Sequence, residues 1–175
     1  MSRTVLAGIA AIVALGGCTT IDRLPEERVG EATLRLASGV PVGTAQLFRK
    51  GDGLTLAAAL TGLEPGVHGF HLQTTGQCIG PDFTSAGGHL NPAGKSHGSM
   101  APDGRHLGDL PNLEVGANRS ASISYDLPGS ASVVLADIFD NDGTAIVLHA
   151  KADDYRTDPS GNAGPRLACG VFEAR

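Results

Sequence analysis

The 175-residue sequence has no surplus of positive charge: 13 lysines and arginines stand against 18 aspartates and glutamates, a formal net charge of −5. With no basic stripe along it, the chain lacks the electrostatic footprint of a nucleic-acid-binding protein, and that function class is excluded. It also lacks an apolar stretch able to span a bilayer core of about 30 Å. The apolar run at residues 5–15 is too short for a transmembrane helix. Cysteine is scarce, with three residues in all. No segment carries a long 3.6-residue apolar period, and there is no internal repeat or low-complexity tract, which argues against a helical fold.

The N-terminal residues have a processing pattern. Arg3 gives a short positive start and the apolar run follows, so residues 1–17 are read as a signal peptide. Leu15-Gly16-Gly17-Cys18 comes directly after and resembles the bacterial lipobox, in which Cys18 becomes the lipid-modified first residue. The competing reading is ordinary cleavage nearby, with Cys18 discarded. The preferred reading exports the protein to the periplasmic face of a bacterial membrane, held through a lipid anchor only. Residues 18–30 are then the lipidated cysteine and a polar tether, and residues 31–175 one domain. With Cys18 set aside, Cys78 and Cys169 form the one possible intramolecular pair, and an exported chain lives where disulfides persist. The alternative is two free buried thiols. Closing a loop of about 90 residues stabilises by about 4–5 kcal/mol on the chain-entropy model.

Short apolar runs of the half-buried strand type recur along the domain. Leu34 and Leu36, Ala45 and Leu47, and Leu54 and Leu56 alternate with polar neighbours, and Gly51-Asp52-Gly53 between two such runs signals a hairpin. Residues 121–125, 132–135, 145–150 and 167–172 are further strand candidates. This pace, with 25 glycines, predicts an all-β, Greek-key antiparallel sandwich or flattened barrel with less than one short helix of helical residues. Residues 74–112 and 153–165 lack strand patterning, and loops this long in a compact domain usually carry function.

Five of the six histidines and one aspartate concentrate the chemistry. His89-x7-His97-x8-His106-x2-Asp109 runs along a stretch with six glycines between Gly87 and Gly108. Three imidazole nitrogens and one carboxylate oxygen suit zinc and close a tetrahedral shell. None of the gaps between the histidines matches a helix face, so a loop must bend to gather them. In the segment from Gly66 to Gln73, strand parity puts His71 and Gln73 on one face and Phe70 and Leu72 on the other. His68 shares the parity of Phe70 and is expected in the core, bonded to a backbone carbonyl. His149 ends the apolar strand 145–148 and is expected to meet His71 across the sheet.

The set, in this order, resembles the copper/zinc superoxide dismutase family over nearly the whole mature chain. The motifs are GVHGFHL (66–72), AGGHLNPAGKSHG (86–98), GRHLGDLPNL (104–113), IVLHAKADDY (146–155) and GNAGPRLACGV (161–171). The export signal and the short loop at 153–165 look like the bacterial branch. The resemblance implies that His89 bridges copper and zinc, that His97, His106 and Asp109 complete the zinc shell, and that His71 and His149 bind copper. It makes Asp153 the carboxylate linking His71 to His97. Arg166 would attract the superoxide anion, beside a loop held by a Cys78–Cys169 disulfide.

One position departs from the family pattern: Gln73 stands where a second copper histidine is expected two residues after His71. An amide is a poor ligand for a metal cycling between Cu(II) and Cu(I), whereas the zinc set is complete. The positive field is thin, with Arg166 placed near the site and Lys95, Arg105 and Arg156 assigned only loosely. Two expectations follow. One is a superoxide dismutase of the cell envelope with an impaired or modified copper site; the other is a zinc-binding, catalytically inactive relative.

Overall fold

The computed structural model describes residues 26–175. The expected signal peptide and Cys18 lie outside the described residues. Among the described residues, no helix is long and apolar enough to cross a membrane.

Three long strands open the fold: β1 (Glu27–Leu36), β2 (Pro41–Lys50) and β3 (Gly53–Thr61). Each alternates. Ala32 and Leu34, Ala45 and Leu47, and Leu54, Leu56, Ala58 and Leu60 turn to the core, while their neighbours face outward. The Gly51-Asp52 signal makes the tight β2–β3 connection, with Lys50 opposite Gly53 and Gly51 at φ 61. Then come β4 (Gly66–His68), β5 (Phe70–Gln73), β6 (Leu113–Val115), β7 (Ser120–Leu127), β8 (Ala145–His149), β9 (Arg166–Val171) and β10 (Glu173–Ala174). All pairings are antiparallel. One curled sheet runs β5-β8-β9-β1-β2-β3-β7, with β10 added to β1 and β4–β6 as a separate pair. Because β5 skips β6 and β7 to pair with β8, and β9 returns to β1, the order is that of a Greek key. The all-β sandwich expected from the strand pattern is the observed fold.

Two differences have local causes. Residues 132–135 are not a strand but lie inside a helix, α1 (Ala131–Ile138). A short apolar run is ambiguous between the two states. Ala131, Val134 and Ile138 are buried at helical spacing while Val133 is 59% exposed, so the decisive signal was the 3–4 step. With the 3-10 turn Thr84–Ala86, helical residues slightly exceed the less-than-one-helix expectation. The second difference is that β1 begins at Glu27, taking in the last four residues of the expected tether, with Glu27 and Arg28 opposite Arg49 and Phe48.

Strands β5 and β8 position the site because both of their faces are covered. On one face Phe70, Leu72, Ile146 and Leu148 join the main core. On the other, Ala145 and Val147 pack with Phe83, Ala86 and Cys169, beside His71 and Gln73. The strand-free segments 74–112 and 153–165 cover that second face.

Candidate metal centre

Each candidate ligand is delivered by a distinct local device. His71 comes from mid-β5 and His149 from the end of β8, with β5 registered so that His71 lies opposite Val147. His89 and Asp109 come from the long loop, stitched onto β5 by isolated bridges, Gln73 to His89 and His71 to Asp109. Gly108 allows this close approach, since a Cβ there would stand 2.3 Å from the Leu72 carbonyl oxygen. His97 is fixed by its N–H to Asp158 Oδ1 (2.7 Å). The five histidines and Asp109 are all buried.

The side chains form two groups that share His89. His89, His97, His106 and Asp109 offer ligand atoms within 4.8 Å of one another, as do His71, His89 and His149. In the first group, Nδ1 of His89, His97 and His106 lie 2.8, 3.1 and 3.0 Å from one oxygen, Asp109 Oδ1. Donors held about 2.0–2.2 Å from a tetrahedral zinc sit roughly 3.3 Å apart, close to this spacing. Asp109 Oδ2 accepts from the N–H groups of Gly98 (2.7 Å) and His106 (3.1 Å), which fixes the carboxylate.

Asp153 connects the groups. Its Oδ2 accepts from His71 Nε2 (2.8 Å) and its Oδ1 from His97 Nε2 (3.0 Å). With the Nε2–H groups of both rings donating to the Asp153 carboxylate, the Nδ1 atoms of His71 and His97 carry lone pairs. His149 Nδ1 donates to the Gly164 carbonyl (3.0 Å), which leaves its Nε2 as the acceptor nitrogen. His71 Nδ1, His89 Nε2, His97 Nδ1 and His149 Nε2 are buried without a hydrogen-bond partner. His97 Nδ1 therefore sets a lone pair against an Asp109 oxygen, an arrangement that calls for a cation between them. Partnerless buried polar atoms are rare and costly, so the donor set fits zinc at the first group and a nitrogen-binding metal at the second.

The electrostatics suit metal binding. Burial pushes His71 down to about 3, against the pull of Asp153, and His149 down to about 4, so both rings are neutral at pH 7. Burial also lowers His89. For Asp109 burial works in the opposite direction, but the hydrogen bond from His89, the Gly98 N–H and the neighbouring imidazoles outweigh it and bring the carboxyl to about 2. Burial likewise opposes ionisation of Asp153, which His71, His97 and the Tyr155 N–H nevertheless hold well below the usual carboxylate range.

Arg166, the first residue of β9, lies opposite His149. Its guanidinium donates to the carbonyls of Phe83 (2.6 Å) and Gly87 (2.5 Å). It lines an open cleft of about 470 Å³ with Pro81, Asp82, Thr84, Gly164 and Pro165. Gln73 is fully buried. Its amide is satisfied with the NH2 toward the carbonyls of Gly88 (3.0 Å) and Gly87 (3.1 Å). Two of the three loosely assigned cations are occupied elsewhere: Arg105 stacks on Tyr125 at 5.6 Å and bonds its hydroxyl, and Arg156 reaches the Met100 sulfur. Cys78 and Cys169 are joined, with Cα atoms 5.7 Å apart. His68 is buried as expected, against the carbonyls of His149 (2.8 Å) and Glu64 (3.1 Å).

Sequence reasoning missed the residues that hold Asp153. Asn112 exchanges hydrogen bonds with the Asp153 backbone (2.8 and 2.9 Å), and the Asn112 N–H bonds the Tyr155 hydroxyl (2.8 Å). Gly161 sits against the carboxylate, and a Cβ there would lie 1.8 Å from Asp153 Oδ1. Asn112 lies inside the motif GRHLGDLPNL (104–113), but nothing in its spacing pairs it with Asp153. Gly161 in turn opens the motif GNAGPRLACGV (161–171), where a glycine alone does not reveal which side chain it makes room for.

Comparison with known proteins agrees with this geometry. Residues 42–172 match the family model described as copper/zinc superoxide dismutase. The superoxide dismutase-like protein YojM of Bacillus subtilis is 37% identical, covering 98% of this chain and 96% of its own. A copper-zinc superoxide dismutase of Aquifex aeolicus is 38% identical over 81% of this chain and 84% of its own. Among solved structures, a SOD-like protein from Bacillus subtilis, crystallised as a double variant with a tyrosine and a proline each changed to histidine, matches with a TM-score of 0.74. It is 42% identical and covers 81% of this chain and 95% of that one. Motif order, fold and histidine clustering converge with these matches: the chain belongs to the copper/zinc superoxide dismutase family.

Proposed function

We propose that this protein is an envelope superoxide dismutase whose copper site is weakened by Gln73 and whose zinc site is intact. In this reading His89, His97, His106 and Asp109 hold zinc, and His71, His89 and His149 hold copper. The observation that carries it is the trio of buried, partnerless nitrogens, His71 Nδ1, His89 Nε2 and His149 Nε2, beside a cleft lined by Arg166. Bound copper would supply one-electron exchange with superoxide, yielding oxygen and hydrogen peroxide. The chain's own residues do the rest. Arg166 draws the small anion into the cleft by charge. Asp153 fixes the tautomers of His71 and His97. His89 Nε2 is the atom at which the chain can hold and release a proton. Supporting export, the disulfide belongs to an oxidising compartment, and Cys18 would carry the lipid that holds the protein at the periplasmic face.

A second reading, a zinc-loaded protein without turnover, is favoured by the direction of the Gln73 amide, whose NH2 is engaged by backbone carbonyls. Losing even a group that only supports a ligand costs about 10- to 100-fold in metal affinity or activity, and losing a ligand costs at least as much. Metal content and dismutase activity, with and without excess copper, separate the two. The enzyme reading expects one zinc per chain, low copper retention, and activity that rises with added copper. Gln73→His should raise copper retention and activity together, and His149→Ala should abolish that gain. A Gln73→His form that binds copper yet stays inactive would establish the second reading.

A further inference from the structure

Gln73 is more than an absent ligand. We propose that it is a positioning residue, a two-donor tie that fixes the Gly87-Gly88-His89 segment and the adjoining Arg166 whether or not copper is bound. Its amide is assigned with nitrogen toward the carbonyls of Gly88 at 3.0 Å and Gly87 at 3.1 Å. The opposite orientation would gain one long bond from Arg166 (3.4 Å) while setting Oε1 against two carbonyl oxygens. The same two carbonyls are used again: Gly88 O accepts the Thr74 N–H (2.9 Å) and Gly87 O accepts Arg166 (2.5 Å). One buried side chain therefore spans the end of β5, the residues delivering His89, and the anion-facing guanidinium. Gly87 itself leaves no slack, since its φ is +78 and a Cβ there would meet the Thr74 hydroxyl at 2.4 Å.

The tie explains why this position holds an amide and not an apolar residue. Each of the two carbonyl oxygens, already bonded once to Thr74 or Arg166, turns its second lone pair into a fully buried spot, where a further donor adds a hydrogen bond that no water supplies. Glutamine brings two N–H groups on one nitrogen, a neutral histidine brings one, and methionine of similar length brings none. A histidine at this position would gain a ligand nitrogen and lose half of the tie. Glutamine thus favours a loop that is ordered without copper.

The proposal is tested in zinc-loaded, copper-free protein, so it stands or falls independently of dismutase activity. Wild type, Gln73→His and Gln73→Met are compared by amide hydrogen exchange at Thr74 and Leu90, whose N–H groups bond Gly88 O and Leu72 O. Zinc content and the intact disulfide serve as the check on folding. Exchange at both amides should quicken in the order Gln, His, Met, reaching about tenfold or more for Met, the scale of one to two net hydrogen bonds. Equal protection in all three proteins would overturn the proposal, as would faster exchange spread evenly over β1–β3. Should Gln73→Met fail to fold, Gln73→His alone decides: wild-type protection at Thr74 and Leu90 overturns the tie, and selective loss there supports it.

Discussion

Asp153 holds two imidazoles with one carboxylate, and it stays ionised because donors surround it. The space it occupies exists only because residue 161 is glycine. Gly161 has φ +63, and any side chain there would overlap Asp153 Oδ1 and crowd His97 Nε2 at 2.7 Å. Asp153→Asn and Gly161→Ala should therefore act alike, each weakening zinc binding by about 10- to 100-fold. The double variant should be little worse than either single one, because both strike the same contact. Competition with a chromogenic chelator measures this; fully additive losses would place Gly161 outside the Asp153 contact. That His71, His89, His97, His106, Asp109 and His149 gather in two adjoining groups was legible from spacing and strand parity. Asn112 and Gly161 were not, because their roles arise where two loops distant in sequence meet.

At the scale of elements, the disulfide and β9 act as one unit. Cys78 and Cys169 are 91 residues apart, and the bridge pins the loop bearing Phe83 to the strand that starts with Arg166. Phe83 has φ 55, uncommon for a bulky residue, and its carbonyl receives the guanidinium. Removing the bridge with Cys78→Ser and Cys169→Ser should cost about 4 kcal/mol by loop entropy. For a domain of this size that lowers the melting temperature on the order of 10 °C. Zinc content should persist, because the zinc ligands are held by separate hydrogen bonds. A calorimetric scan with metal analysis tests both parts, and unchanged melting would mean the open chain is already restrained. Elements were legible where apolar residues alternated, as in β1, β2 and β3, or ran unbroken between turn signals, as in β8 and β9. Others were not: α1 was taken for a strand, and β6 and β10 have three and two residues, too few to show a period.

For the whole molecule, folding and metal binding respond to acid in the same direction. The unfolded chain protonates its histidines near 6.5, whereas burial holds folded His71 at about 3 and His149 at about 4. Below pH 6.5 the unfolded state binds more protons, so metal-free stability falls as pH drops from about 6.5 toward 3. Asp109, at about 2 folded against 3.8 unfolded, adds a loss below pH 4 of the same sign. Melting temperatures of the metal-free domain should therefore hold level from pH 8 to about 7 and decline from about 6.5 down to 4. Zinc at a thousand times its dissociation constant should add about 4 kcal/mol at neutral pH, an increment that shrinks in acid as ligands protonate. A metal-free protein equally stable at pH 7 and 5 would contradict this.

The register of the outermost pairing has a practical consequence. Gly30 lies opposite Ala174, so the described chain enters and leaves the barrel side by side. Arg166 lies eight residues back along β9 and β10, roughly 25 Å away at strand rise. Gly30 and Ala174 thus lie beyond the far end of β9 from the Arg166 cleft. A surface or bead coupled beside Ala174 would leave the Arg166 cleft facing open solution, within reach of a small anion from the bulk.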